Sequence, residues 1–113
     1  MTLTQAIAAA DELRLNSVSD EQKTRWVHEI DCRVAEAMEV EIPKYTFPSD
    51  RELLMAEPHE DIYVRYLTAM IDHFNGEYEM YVNDITVFKD AFNEAMGWWR
   101  RHHRPKSSGS WRV

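Results

Sequence analysis

Cysteine and glycine are scarce in this chain of 113 residues, with one of the first and three of the second. A lone thiol, Cys32, excludes an internal disulfide, and a reducing compartment suits it best. Gly76, Gly97 and Gly109 stand far apart, so no glycine-rich loop exists to cradle a phosphate. No apolar run nears the ~18 residues of a membrane span. The opening MTLTQAIAAADELR lacks the basic-then-apolar layout of a secretory leader. Proline is nearly confined to one stretch, with three of its four copies between residues 43 and 58. What remains is 44% hydrophobic and 29% charged, enough for one core and weighted toward helix over sheet.

Charge is unevenly spread. Residues 100–113 hold Arg100, Arg101, Arg104, Lys106 and Arg112 and no carboxylate. Of the 13 lysines and arginines, the first 99 residues therefore keep eight against all 20 acids, a formal charge of −12. An acidic body with a cationic end is suited to docking that end on an acidic surface while the body repels polyanions.

Apolar spacing predicts four helices. The first spans about Leu3 to Arg14, with Thr2 or Thr4 as cap and Leu3, Ile7, Ala10 and Leu13 as its stripe. The second opens on Ser19 and Gln22, the two ends of a capping box, with Asp20 and Glu21 in the first turn. Trp26, Val27, Ile30, Val34, Ala37 and Met38 share a face, and Pro43 is expected to stop the helix. Residues 43–58 read as an ordered loop with a short extended piece at Glu52–Ala56. A loop that long in a small domain is often functional, and Tyr45, Phe47, Leu53 and Leu54 are its candidate contacts with another protein chain.

Pro58 opens a third helix whose buried face comprises Ile62, Tyr63, Tyr66, Leu67, Met70, Ile71 and Phe74. Beyond Asn75-Gly76 the pattern continues through Tyr78, Tyr81, Ile85, Phe88, Phe92, Ala95 and Trp99. The chain either breaks at Asn75-Gly76 and folds back or runs on as one bent helix of about 45 residues. The break is favoured because so long a globular helix is rare. The last helix should end near His103. The fold class is thus all-α: a small antiparallel bundle of about four helices over residues 1–103, a long proline-containing loop, and an extended basic tail over 104–113.

Catalytic and metal chemistry finds little to build on. His28, Cys32 and Glu36 share a helix face at spacing i, i+4, i+8, but that face opposes the Trp26/Ile30/Val34 stripe and reads as solvated or subunit-facing. His59, Glu60 and Asp61 suit the positive end of a helix. No Glu-x-x-His pair marks a di-iron bundle. The Tyr/Phe stripe reads as core or subunit interface rather than a base-stacking platform. An enzyme is not expected, and neither is a cofactor or a metal. Trp98 and Trp99 point about 100° apart, so at least one leaves the core and becomes a docking anchor beside the arginines. Trp111 favours a tail that orders on a protein partner over a solubilising or nucleic-acid-binding one.

Two long segments, LRLNSVSDEQKTRWVHEIDCRVAE and LLMAEPHEDIYVRYLTAMIDHFNGEYEMYVNDITVFKDAFNEA, resemble small helical proteins of tailed-phage and prophage packaging clusters. These are the head–tail connector proteins, also called adaptors or head-completion proteins. The resemblance covers most of residues 13–106 and is carried by Trp26 to Arg33, by Leu53-Leu54 with Pro58, Tyr63 and Tyr66-Leu67, and by IDHFNGE from Ile71. The chain departs from that pattern in Trp98-Trp99 and the arginine run.

The resemblance implies a non-enzymatic virion subunit at the head–tail neck, present in the host cytoplasm during assembly. It implies a ring of about twelve copies beneath the portal, a tail-side completion protein as second neighbour, and double-stranded DNA passing without sequence-specific binding, with no membrane involved. The C-terminal segment reaches toward the portal, which makes Trp98, Trp99, Arg100, Arg101, Arg104, Lys106, Trp111 and Arg112 the expected portal contacts. Three other readings fit the composition: a small acidic inhibitor or regulator of a host protein, a tail-completion or minor capsid component, and a DNA binder acting through its cationic tail.

Overall fold

In the computed structural model, which describes residues 1–103, four helices follow in order: α1 (Leu3–Leu13), α2 (Asp20–Met38), α3 (Asp61–Phe74) and α4 (Tyr78–His102). They run up, down, up and down. Met1 at the foot of α1 meets Glu60 at the foot of α3, and Arg14 at the top of α1 meets Asp72 at the top of α3. Tyr66 against Phe88 and His59 against Trp98 set α4 antiparallel to α3. α3 is the hub on which the other three helices pack.

Each helix end has a local cause. Thr2, not Thr4, caps α1 in a full capping box with Gln5. The Thr4 hydroxyl instead donates to the Ser49 carbonyl at 2.8 Å, tying α1 to the long loop. Ser19 accepts from the Gln22 backbone at 3.1 Å, but the return half of the expected box is replaced, because the Gln22 side chain accepts from Arg25 at 2.7 Å.

Pro43 does not stop α2. The helix ends at Met38, where Glu39 adopts the left-handed conformation (φ 58°) and the Val40 and Glu39 amides close on the Ala35 and Glu36 carbonyls. That pair of bonds is a Schellman motif. The same motif ends α3. Gly76 takes φ 77°, and the Glu77 and Gly76 amides close on Asp72 and His73. The break at Asn75-Gly76 is therefore real, and the chain folds back there.

Other expectations need correction. α3 begins at Asp61, three residues after Pro58, because residues 57–60 form turns. The Glu60 carboxylate makes no cap, being bonded to the Met1 ammonium at 2.6 Å. The extended piece at Glu52–Ala56 reduces to a single antiparallel bridge between Thr2 and Glu52. Leu13, Phe74 and Tyr78, assigned to buried stripes, are more than half exposed; Leu13 is the last residue of α1, and Phe74 and Tyr78 flank the turn between α3 and α4.

The core gathers Leu3, Ile7, Val27, Ile30, Val34, Ile62, Tyr63, Leu67 and Ile71, and the loop adds Tyr45, Leu53 and Met55. α4 contributes less. Of its 25 residues only Phe88, Ala95 and Met96 are buried, which leaves most of a ~37 Å helix facing outward. Among the described residues no helix is long and apolar enough to cross a membrane.

Candidate interaction surfaces

The cationic end is built on the last turn of α4. Arg100, Arg101 and His102 lie where the helix carbonyls are unpaired, a placement the macrodipole favours. Each tryptophan carries a histidine one turn on. The Trp99 and His103 rings stack at 4.6 Å with 10° between planes, and Trp98 and His102 lie 4.6 Å apart at 30°. The His102 Nδ1 donates to the Trp98 carbonyl at 2.8 Å and the His103 Nδ1 to the Trp99 carbonyl at 2.9 Å, which fixes both rings.

The two indoles part as their adjacency requires. Trp99 packs against the core cluster. Trp98 lies outside it, with the His59 ring 5.3 Å away. On the Trp99 side a groove of about 600 Å³ has a floor of Ala37, Met38 and Trp99 and a rim of Glu39, Arg100, Arg101 and His103. Arg104, Lys106, Trp111 and Arg112 lie outside the described residues.

Two of the four loop residues expected at a contact surface, Tyr45 and Leu53, are turned into the chain's own core, at 6% and 5% exposed. Phe47 and Leu54 are half-buried and pack against the same cluster. The reason is Asp31, fully buried on α2. Its Oδ2 accepts from the Tyr45 hydroxyl at 2.7 Å and from the Leu54 amide at 3.2 Å, and its Oδ1 accepts from the Tyr63 hydroxyl. Tyr63 in turn accepts from the Met55 amide at 2.7 Å. Burial, and then the Asp31 charge, push both tyrosine hydroxyls above the ordinary phenol range. Such a network anchors the loop rather than leaving it to find a partner.

A second buried acid sits at the opposite end. Asp72, 1% exposed, accepts from Arg14 at 2.9 Å, and Arg14 also donates to Asp84 of α4 at 2.9 Å. One guanidinium thus serves two carboxylates, while the Asp72 Oδ2 finds no donor among the described residues. Burial, and then the neighbouring Asp84, raise Asp72 to about 6 against the opposing pull of Arg14. A third pair, Lys23 with Asp11 at 2.7 Å, joins α2 to α1. None of these acids was singled out from sequence. Helical phase gave a signal only for Asp31, four residues after Val27. Asp72 lies opposite the apolar stripe of α3, one turn after Thr68 and Ala69, and is buried because α3 is packed on more than one face.

The His28 ring approaches the Cys32 Sγ at 3.6 Å. Among the described residues, no three His, Cys, Asp or Glu side chains gather closely enough to hold a metal ion. Only Asp31 and Asp72 of the 20 carboxylates are buried, so the negative charge of the body lies at its surface. No family model, curated protein or solved structure matches the chain.

Proposed function

We propose that this chain is a structural subunit of the neck of a tailed phage: a head–tail connector that docks beneath the portal as a ring of about twelve copies and lengthens the DNA channel. The observation that carries the reading is the charge polarity of α4. It begins among Glu77, Glu79 and Asp84 and ends in Arg100 and Arg101 beside two tryptophans, with a strongly acidic body around it.

An acidic wall repels phosphates and offers no cations to displace the counterions condensed on the DNA, so duplex DNA slides past it without being held. The cationic end supplies the opposite property and grips an acidic portal surface through Trp98, the arginines and residues 104–113. Ring geometry lets modest contacts add, because each copy is held by two neighbours as well as by the portal. The role requires no catalytic group. The tail-side completion protein would meet the face turned away from the portal.

A small acidic inhibitor that mimics DNA shares the carboxylate-covered body, but it gains nothing from a cationic end. Co-expression with the portal protein of the same gene cluster tests the reading. Full-length chain should co-purify with portal in many copies per complex, and chain lacking residues 100–113 should fold yet bind weakly. A full-length chain that ignores portal at micromolar concentration contradicts it.

A further inference from the structure

Two uncovered surfaces sit at opposite ends of α4 and complement each other. At its start, the hairpin tip exposes Phe74, Tyr78 and Val82 at 56%, 62% and 57%, beside the carboxylates of Glu77 and Glu79. Tyr78, Glu79, Val82 and Asn83 line one shallow depression there. Leu15, 96% exposed, is held at the same tip by the Asn75 side chain, which donates to its carbonyl at 3.0 Å. At the other end is the groove floored by Ala37, Met38 and Trp99 and rimmed by Arg100, Arg101, His103 and Glu39.

From Tyr78 to Trp99 is 21 residues, or ~32 Å of rigid helix, so one chain cannot bring its own tip to its own groove. Apolar side chains beside two acids at one end, and an apolar floor beside two arginines and a single acid, Glu39, at the other, have the complementary chemistry of two halves of one interface.

We infer that the α3–α4 tip of one copy seats in the α2–α4 groove of a second copy, with Tyr78 and Val82 against Met38 and Trp99 and with Glu77 and Glu79 facing Arg100 and Arg101. The contacting surfaces differ, so each copy offers one half at each end, as a contact repeated around a ring requires. Trp98 does not line the groove and stays available to the portal, while Arg100 and Arg101 on the rim face the neighbouring copy on one side and the portal on the other. The inference adds the contact between copies to the reading above. Its experiment contains no portal, so its failure leaves portal docking to its own test.

Two full-length variants separate the halves. Tyr78→Ser with Val82→Ser alters only exposed tip residues, and Arg100→Glu with Arg101→Glu reverses the groove rim. Mass is followed by light scattering over a concentration series, with circular dichroism confirming that each variant is folded. The unaltered chain should grow in mass with concentration, and each variant alone should remain monomeric. An equimolar mixture should form a 1:1 dimer, because one good tip and one good groove survive in it. An unaltered chain that stays monomeric at ~100 µM, a variant that still associates alone, or a mixture that stays monomeric overturns the inference. The first of these is also the result if residues 104–113 of the same chain fill the groove.

Discussion

Tyr45 donates its hydroxyl to the buried carboxylate of Asp31 at 2.7 Å, and by that bond the proline-rich loop becomes part of the helical core. With Tyr63 and the Leu54 amide on the same carboxylate, the acid has three donors and no need of water. Tyr45→Phe removes one donor and should cost about 1–2 kcal/mol. Asp31→Ala strands three donors and should cost about 3 kcal/mol or more. Urea midpoints measure both, with the slope showing whether unfolding stays cooperative. Equal losses from the two substitutions would mean that the acid does not organise the loop.

At the far end, Asp72 makes stability depend on pH. Its folded value near 6 lies above the 3.8 of the unfolded chain, so between those values the folded state holds the extra proton. Stability from this group is present in acid and lost as pH rises through about 6, with a slope of at most about 1.4 kcal/mol per pH unit. Asp72→Asn should remove that component. The difference between the two stability profiles from pH 4.5 to 7.5 isolates it, and parallel profiles would contradict the account.

Two helices end in the same motif with different residues in the left-handed position. Glu39 carries a Cβ there and Gly76 does not. Relieving a left-handed non-glycine is worth ~1–2 kcal/mol, less the ~0.5–1 kcal/mol of added chain entropy. Glu39→Gly should therefore raise the melting temperature. A Cβ on Gly76 would meet no atom within 4 Å, so Gly76→Ala should lower it by backbone strain alone.

The adjacent tryptophans should separate fold from docking. Trp99 packs on the core, and Trp99→Ala should cost about 2–3 kcal/mol. Trp98 touches only His59 and His102 among aromatic partners, so Trp98→Ala should cost about 1 kcal/mol or less while weakening capture by portal. Comparison of the two variants in denaturation and co-purification checks this.

The helices were legible in the sequence wherever apolar spacing met a cap. Ser19, the Ile30–Val34 stripe and the glycine at 76 each announced a boundary or a face. What was not legible came from polar groups doing apolar work. Asp31 lies at the edge of the buried stripe of α2 and Asp72 opposite the apolar stripe of α3, and in either place a carboxylate carries no sign of its future donors, which lie 14 to 58 residues away. Tyr45 and Leu53 looked like a contact surface because their loop lacks helical period, and the acid that draws them inward is on another element. Pro43 looked like a stop because proline cannot continue a helix, whereas Glu39 had already turned the chain. The cationic end of α4 was plain from composition. Its groove was not, because Ala37 and Met38 come from a helix that ends 61 residues before Trp99.

Imaging the chain bound to its portal tests the central claim most directly. The account predicts a ring beneath the portal, with the Trp98 end of every copy against portal density and carboxylates lining the channel. A pore wall lined by arginine, or a Trp98 end that hangs away from the portal, would contradict it.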